Sequence, residues 1–173
     1  MAAEAKLQTR GGGATHAIDS TGLARMSLAQ IDAVFESLEP VPLGQLQGDL
    51  RGKVVGAPGV DWLPSPVRAA LLRVVNELPV WRGKSFEGEF GSDAWLLPDH
   101  SLRFARYLVR EDVASLAGEG PVTRLEYDVA ANPRAVRLVV GEIRELGDGV
   151  LLARTQLRLG ERVIKLVYFT LEA

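Results

Sequence analysis

The sequence predicts a mainly β protein, an antiparallel up-and-down β-barrel of about eight strands with two short helices. Most of the chain consists of runs rich in Val, Leu and aromatic residues, separated by Gly, Pro, Asp or Asn. The segments "LGDGV" and "LGER" have hairpin length, so the C-terminal strands are expected to pair with their neighbours in antiparallel fashion. Parallel strands would need long crossovers, for which the C-terminal half has no room. Closure into a barrel would remove the exposed edges.

Two amphipathic helices are expected among these strands. The first covers 28–38, where Ser27 and Gln30 have the spacing of a capping box. The second covers 65–78, with Ser65 as its expected N-cap and a proline in its first turn. Both faces of the last two strands are apolar, which requires a cover on the outer side, and the first helix is the candidate. The predicted strands are 46–55, 84–90, 94–97, 102–110, 122–129, 135–146, 150–159 and 162–171.

Length and composition favour one cytoplasmic domain. The chain has 173 residues, which suits a single core, so residues 1–25 are predicted to be a flexible tail and 26–173 one barrel domain. A formal charge of -2, without a basic stripe, argues against nucleic acid as a partner. The chain has no cysteine, which excludes disulfides and thiolate zinc sites, and no apolar run approaches a membrane span. Oligomeric state is left open.

The glycine-rich stretches "GDLRGKVVG" and "WRGKSFEGEFG" raise the question of a phosphate-binding loop. A loop of that kind needs a glycine five residues before Gly83, and this position holds Leu78. The residues after Ser85 also have the pattern of a strand. Glycines within strands mark bulges and sharp bends, so these glycines are predicted to shape the barrel.

The same two stretches resemble a known family. "GDLRG" is similar to the signature of the GXWXG family of small bacterial proteins, with Leu50 at the position of the tryptophan, and "WRGKSF" resembles the run that follows it there. "LEYDVAAN", "GEIREL" and "YFTLE" occur in the same order as in the domain of unknown function attached to that signature. The resemblance implies a lipocalin-like barrel without an assigned activity.

Catalytic motifs are weak in this chain. Of its two histidines, His16 lies in the predicted tail and His100 in an expected turn, where Asp99 and Ser101 are too close in sequence to complete a triad. Carboxylate pairs such as Glu126 and Asp128 are expected on a solvated outer face. We therefore predict no metal site and no cofactor, and the sequence assigns no catalytic residue.

Charged residues among apolar neighbours say more about function than the catalytic motifs do. Arg106, Lys165 and Lys84 alternate in phase with apolar residues, and a buried charge needs a partner. An eight-stranded barrel has room for packed side chains or for one small ligand. The bases could instead lie at the barrel rims or pair with Glu142. The predicted ligand-binding residues are Trp81, Phe86, Phe90, Trp95, Phe104, Arg106, Tyr107, Tyr127 and Lys165.

Three functions are compatible with these patterns. The first is a binding protein for a small apolar or amphipathic molecule, with an acidic head group that would contact Arg106 or Lys165. The second is a cofactor-independent isomerase or cyclase that uses the barrel as a reaction cavity. The third is a protein-interaction module with a filled barrel. A hollow interior favours the first two, and a filled interior favours the third.

Overall fold

Eight antiparallel strands form the barrel in the computed structural model, which describes residues 19–78, 81–97 and 100–173, with the backbone alone for 95–97 and 100–102. A ninth strand, β1, has two residues and pairs with β7. The strands are β1 (Glu39–Pro40), β2 (Gly48–Gly56), β3 (Trp81–Glu87), β4 (Phe90–Leu97), β5 (His100–Ala114), β6 (Pro121–Glu126), β7 (Val139–Gly147), β8 (Val150–Leu159) and β9 (Arg162–Glu172). The helices are α1 (Ser20–Leu23), α2 (Leu28–Glu36) and α3 (Ser65–Glu77), with 3₁₀ turns at Leu43–Gln45 and Val136–Leu138.

The barrel has the simplest order that a closed sheet can have. Each strand from β2 to β9 pairs with the next one along the chain, and β9 returns to pair with β2. All of these pairings are antiparallel, which confirms the predicted up-and-down barrel of about eight strands. Helix α3 lies in the connection between β2 and β3, as the sequence predicted.

One end of the barrel, here called the filled end, is packed with large side chains. The segment from Val41 to Leu46, which contains the first 3₁₀ turn, packs into this end. The Thr123 hydroxyl donates a hydrogen bond of 2.5 Å to the Val41 carbonyl and so fastens the segment to β6. The residues that occupy the filled end are Val41, Leu46, Phe86, Tyr107, Val109, Leu125, Ile143, Leu151 and Leu171.

Helix α2 covers the outer face of the C-terminal strands, as expected. Its capping box is formed, because the Ser27 side chain accepts from the Gln30 amide and the Gln30 side chain accepts from the Ser27 amide. Ile31 and Phe35 are fully buried in an outer core together with Leu152 and Tyr168. Residues such as Tyr168 therefore point away from the barrel and are still buried.

Among the boundaries that differ from the sequence prediction, two concern the N-terminal segment and α3. The predicted tail, 1–25, extends too far, because α1 lies within it and Leu23 is fully buried in the outer core; residues 1–18 lie outside the described chain. Ser65 is the first residue of α3 and not its N-cap, since Pro64 occupies the cap. The Ser65 hydroxyl instead donates to the Arg25 carbonyl at 2.9 Å, which joins α3 to the segment after α1.

A cluster of six charged residues lies between α2 and the sheet, and we call it the outer ion cluster. At its centre Arg154 and Glu142 are both completely buried, with a shortest distance of 2.8 Å between Arg154 Nη2 and Glu142 Oε2. Arg154 also contacts Glu36 at 2.8 Å and Asp32 at 3.3 Å on α2. The cluster consists of three acids and three bases: Asp32, Glu36, Glu142, Arg144, Arg154 and Lys165.

The guanidinium of Arg154 is stabilised by its partners. Burial alone would lower the pKa of Arg154, but the charge of Glu142 and hydrogen bonds to Glu36 and Glu142 raise it. The charged form therefore persists in a site without water contact. Because every described charge of the cluster has an opposite charge within 4 Å, the cluster joins the helix to the sheet without an isolated charge.

Removal of this guanidinium is expected to destabilise the fold strongly. Arg154→Met leaves Glu142 buried without its cationic partner, which typically costs about 3–5 kcal/mol. Arg103→Met is the matched control, because Arg103 forms its ion pairs with Asp49 and Glu87 at the surface, where such pairs contribute about 0–1 kcal/mol. Urea unfolding measures both free energies. Equal losses in the two variants would contradict a special role for the outer ion cluster.

Candidate functional site

The end of the barrel opposite the filled end contains a cavity of about 370 Å³. We call this part of the barrel the open end. Phe104 lines the cavity and is 42% exposed, so the cavity reaches the surface beside this side chain. Most of the wall is apolar. The lining residues are Val54, Trp81, Lys84, Asp93, Phe104, Ala105, Tyr127, Val136, Val139, Thr155, Val167 and Phe169.

Three polar side chains meet in the wall of this cavity, and we call them the inner triad: Lys84, Asp93 and Tyr127. Lys84 Nζ donates to Asp93 Oδ1 at 2.5 Å and to the Tyr127 hydroxyl at 2.5 Å. The Tyr127 hydroxyl in turn donates to Asp93 Oδ2 at 2.9 Å. Each oxygen of the carboxylate thus accepts one hydrogen bond, and the ammonium and carboxylate charges balance.

Sheet register brings the inner triad together. The tight turn at Gly88 and Glu89 joins β3 to β4, and Lys84 lies directly opposite Asp93 in the resulting ladder. Side chains directly opposite each other in an antiparallel pair share one face of the sheet, which here is the inner face. Tyr127 follows the last residue of β6 and reaches the pair past the intervening strand β5.

Aromatic rings surround the ammonium group. Lys84 Nζ lies 5.2 Å from the ring centroids of Tyr107 and Tyr127, 5.5 Å from that of Phe169 and 6.0 Å from that of Trp81. The negative faces of such rings attract a cation, most strongly where water is excluded. Lys84 is 2% exposed, so the rings and the carboxylate replace its hydration.

The two glycine motifs turn out to be neighbouring strands that position this site. Gly48–Arg51 of β2 pair with Gly83–Phe86 of β3, and the Gly-Lys-Ser triplet lies within a strand, so no phosphate loop exists there. A Cβ added to Gly52 would lie 2.2 Å from the ring of Trp81, so the glycine makes room for this ring. Gly83 has a φ of +139° and approaches the Leu50 carbonyl more closely than a side chain would allow.

The sequence-predicted site residues divide into three groups. Trp81, Phe104 and Tyr127 line the cavity. Phe86 and Tyr107 are buried in the filled end, where the Tyr107 hydroxyl donates to the Ser85 carbonyl at 2.9 Å. The other four residues are placed elsewhere or lie outside the described side chains: Phe90, Trp95, Arg106 and Lys165.

Three of these four residues have side chains that lie outside the cavity. Phe90 is 60% exposed beside the β3–β4 turn, and Arg106 is exposed on the outer face of β5. Lys165 pairs with Asp32 at 2.6 Å in the outer ion cluster. The predicted inward direction of these three side chains is therefore wrong. Trp95 belongs to β4, and its side chain lies outside the described residues.

A β-bulge explains the error at Arg106. Ala105 adopts a φ of +61°, and the register between β4 and β5 shifts where Asp93 pairs with Phe104 but Ser92 pairs with Arg106. The extra residue reverses the alternation, so that Ala105 and Tyr107 point inward and Arg106 points outward. Sequence reasoning assumed an uninterrupted strand.

Sequence reasoning also missed several lining residues. The missed residues are Val54, Asp93, Ala105, Val136, Val139, Thr155, Val167 and Phe169. Lys84 was predicted as a charge among apolar residues but not as a ligand-binding residue. Val136 lies in a 3₁₀ turn where a strand was expected, and this turn follows a loop held by Asn132. The Asn132 side chain accepts from the Arg106 amide at 3.0 Å and donates to the Arg106 carbonyl at 2.6 Å, like a residue of a neighbouring strand. The loop thus continues the wall of the cavity beside the bulge.

All three tyrosines of the chain are held in the neutral form. Burial, followed by the negative charge of Asp93, raises the pKa of Tyr107 and of Tyr127 well above their ordinary value. Burial and the hydrogen bond to Asp32 raise the pKa of Tyr168 on the outer face. In each case the phenolate would lack water and would lie near a carboxylate.

Alkaline titration is expected to unfold the protein before its tyrosines ionise. Below a pH of about 10 the tyrosines are neutral in both folded and unfolded chains, and their contribution to stability is complete. Above this pH the unfolded chain releases phenolic protons that the folded chain retains, so each tyrosine removes up to about 1.4 kcal/mol of stability per pH unit. Phenolate absorbance and circular dichroism should therefore change together. Phenolate formation near pH 10 in a folded chain would contradict the buried placement of these hydroxyls.

Known proteins support the architecture. A crystal structure of a protein from Thermomonospora curvata superposes with a TM-score of 0.56 at 20% sequence identity, over 85% of this chain and 87% of that chain. A likeness at this identity shows the fold alone. No protein-family model matches the chain, and neither does any curated protein. In the described part of the chain, no helix has the length and apolarity to cross a membrane, and no group of three or more acidic or histidine side chains is placed to hold a metal ion.

Proposed function

We propose that this barrel binds a small, mainly apolar molecule in the cavity at its open end. The observation that carries the proposal is the cavity itself, which has about 370 Å³ and an apolar wall with one polar cluster. Pockets for small ligands have volumes of roughly 300–1,000 Å³ and the same combination of apolar lining and few polar groups. Membership in the GXWXG family also stays a proposal, and it rests on the resemblance of the two sequence motifs.

The distribution of side-chain sizes supports a hollow open end. The filled end contains Phe, Tyr, Leu and Ile side chains, which occupy an eight-stranded barrel completely. At the open end, several inward positions carry smaller side chains and leave space between the strands. These positions are Val54, Ala105, Val136, Val139, Thr155 and Val167.

A cofactor-independent isomerase is the second candidate, favoured by the inner triad. Asp93 could accept a proton from the carbon next to a ligand carbonyl, while Lys84 stabilises the developing enolate oxygen. In a ligand with a β,γ double bond this enolate is a dienolate, and return of the same proton from Asp93 to the γ-carbon would complete an isomerisation without any redox change. The interaction module predicted for a filled barrel has less support, because the cavity is present.

Filling the cavity is expected to weaken binding without unfolding the barrel. Val139→Phe places a ring in the open end and should weaken binding of the fluorescent probe 1-aminoanthracene at least about tenfold, because the ring takes the volume that the probe needs. Val74→Phe is the matched control, since Val74 is exposed on α3. Fluorescence titration measures both affinities. Undiminished binding by a folded Val139→Phe variant would overturn the proposed cavity.

The isomerase candidate has its own test. Bound 2-acetylnaphthalene should exchange the hydrogens of its methyl group with deuterium oxide faster than in buffer, and Asp93→Asn should remove the acceleration because an amide does not accept the proton. Asp148→Asn, in the exposed β7–β8 turn, is the control and should change nothing. Exchange is followed by mass spectrometry. Equal rates with and without the wild-type protein would eliminate this candidate.

A further inference from the structure

We infer that the ligand is neutral and carries a hydrogen-bond acceptor, such as a ketone oxygen, that accepts from Lys84. This inference rests on the proposed function and specifies the chemical class of the molecule in the cavity. It departs from the acidic head group expected from the sequence, since neither Arg106 nor Lys165 lines the cavity. Two features of the inner triad carry it: its charge balance and the number of its hydrogen-bond donors.

Charge balance disfavours an anionic ligand. The cavity wall described here contains one cation, Lys84, and one anion, Asp93, and they contact each other at 2.5 Å. A ligand carboxylate near Lys84 would also lie near Asp93, and the mainly apolar wall would do little to screen the repulsion. A ligand with an ammonium group would be repelled by Lys84 in the same way. A neutral molecule avoids both.

The number of N–H donors on Lys84 favours a hydrogen-bond acceptor on the ligand. An ammonium group has three N–H donors, and Lys84 directs two of them to Asp93 and Tyr127. Among the described residues, Nζ forms no third hydrogen bond, and four aromatic rings lie within 6.0 Å of it. The Tyr127 hydroxyl already donates its hydrogen to Asp93. The third N–H of Lys84 is therefore the donor that a ligand oxygen would use.

The geometry also orients the ligand. Lys84 and Asp93 are largely buried, and Phe104, which lies directly opposite Asp93 in the β4–β5 ladder, is partly exposed beside them. A carbonyl bonded to Lys84 would place the apolar body of the molecule against the valines and Phe169. The inner triad thus recognises the polar end, and the apolar wall accommodates the body.

Three naphthalene derivatives of similar shape separate the effect of a hydrogen-bond acceptor on the ligand from the effect of ligand charge. 2-Acetylnaphthalene carries a neutral ketone, 2-isopropenylnaphthalene replaces the oxygen with a methylene group, and 2-naphthoate carries a negative charge. The ketone is expected to bind the wild-type protein about tenfold more tightly than the hydrocarbon, since a hydrogen bond from a charged donor contributes at this level. The naphthoate is expected to bind more weakly than the ketone. Isothermal titration calorimetry measures all three affinities.

The matched variant replaces the whole inner triad with apolar side chains of similar size. In Lys84→Met/Asp93→Leu/Tyr127→Phe no charge is left unpaired, so the barrel should fold, as circular dichroism would verify. Preference for the ketone should disappear, with the ketone and hydrocarbon affinities within about twofold, while the hydrocarbon still binds. If this variant does not fold, the single variant Lys84→Arg is used in its place. This substitution should change the ratio of ketone affinity to hydrocarbon affinity, while the hydrocarbon affinity itself stays within about twofold of the wild-type value.

The outcomes distinguish this inference from the proposed function. Equal wild-type affinities for the ketone and the hydrocarbon would overturn the acceptor but leave a binding cavity. Tightest binding of the naphthoate would overturn neutrality in favour of an anionic ligand. Retained ketone preference in the apolar variant would overturn the role of Lys84. Failure of all three compounds to bind the wild-type protein would overturn the proposed function and this inference together.

Discussion

The interior of an eight-stranded barrel is narrow enough to be filled by side chains and just wide enough for one small molecule. In this protein the two solutions occupy opposite ends of one barrel. Large side chains and the segment from Val41 to Leu46 fill one end, where they provide a continuous apolar core. The valines, alanine and threonine of the other end leave a cavity. Stability can therefore come from one end of the barrel while the other is left free for a site.

The second constraint is that every inward or covered charge needs a partner. Lys84 and Asp93 form an ion pair inside the barrel, and the charges of the outer ion cluster pair with one another beneath α2. The two groups have different surroundings. In the outer ion cluster, Glu142, Arg144 and Arg154 are buried against protein and their partners on α2 and β9 are partly exposed, whereas the inner pair lines the cavity. This difference makes the inner triad the candidate site and the outer ion cluster a structural one.

Local sequence patterns predicted the architecture because alternation and hairpin turns are local properties. The capping box at Ser27 and the turns after β7 and β8 could be located from a few adjacent residues. The candidate site was only partly predicted, since it depends on register. The turn at Gly88 places Lys84 opposite Asp93, and pairing the strands from that turn would have identified Asp93. The bulge at Ala105 left no such signal, because an alanine rarely adopts a positive φ.

A buried ion pair is an inefficient way to stabilise a protein. The desolvation of two charges offsets most of their attraction, and apolar residues of the same size often stabilise a core equally well. The open end already contains valines and aromatic rings that could pack against such residues. Stability therefore does not account for an ammonium and a carboxylate in this wall. The proposed ligand would account for them, since the pair supplies directional hydrogen bonds where the surrounding wall offers almost none.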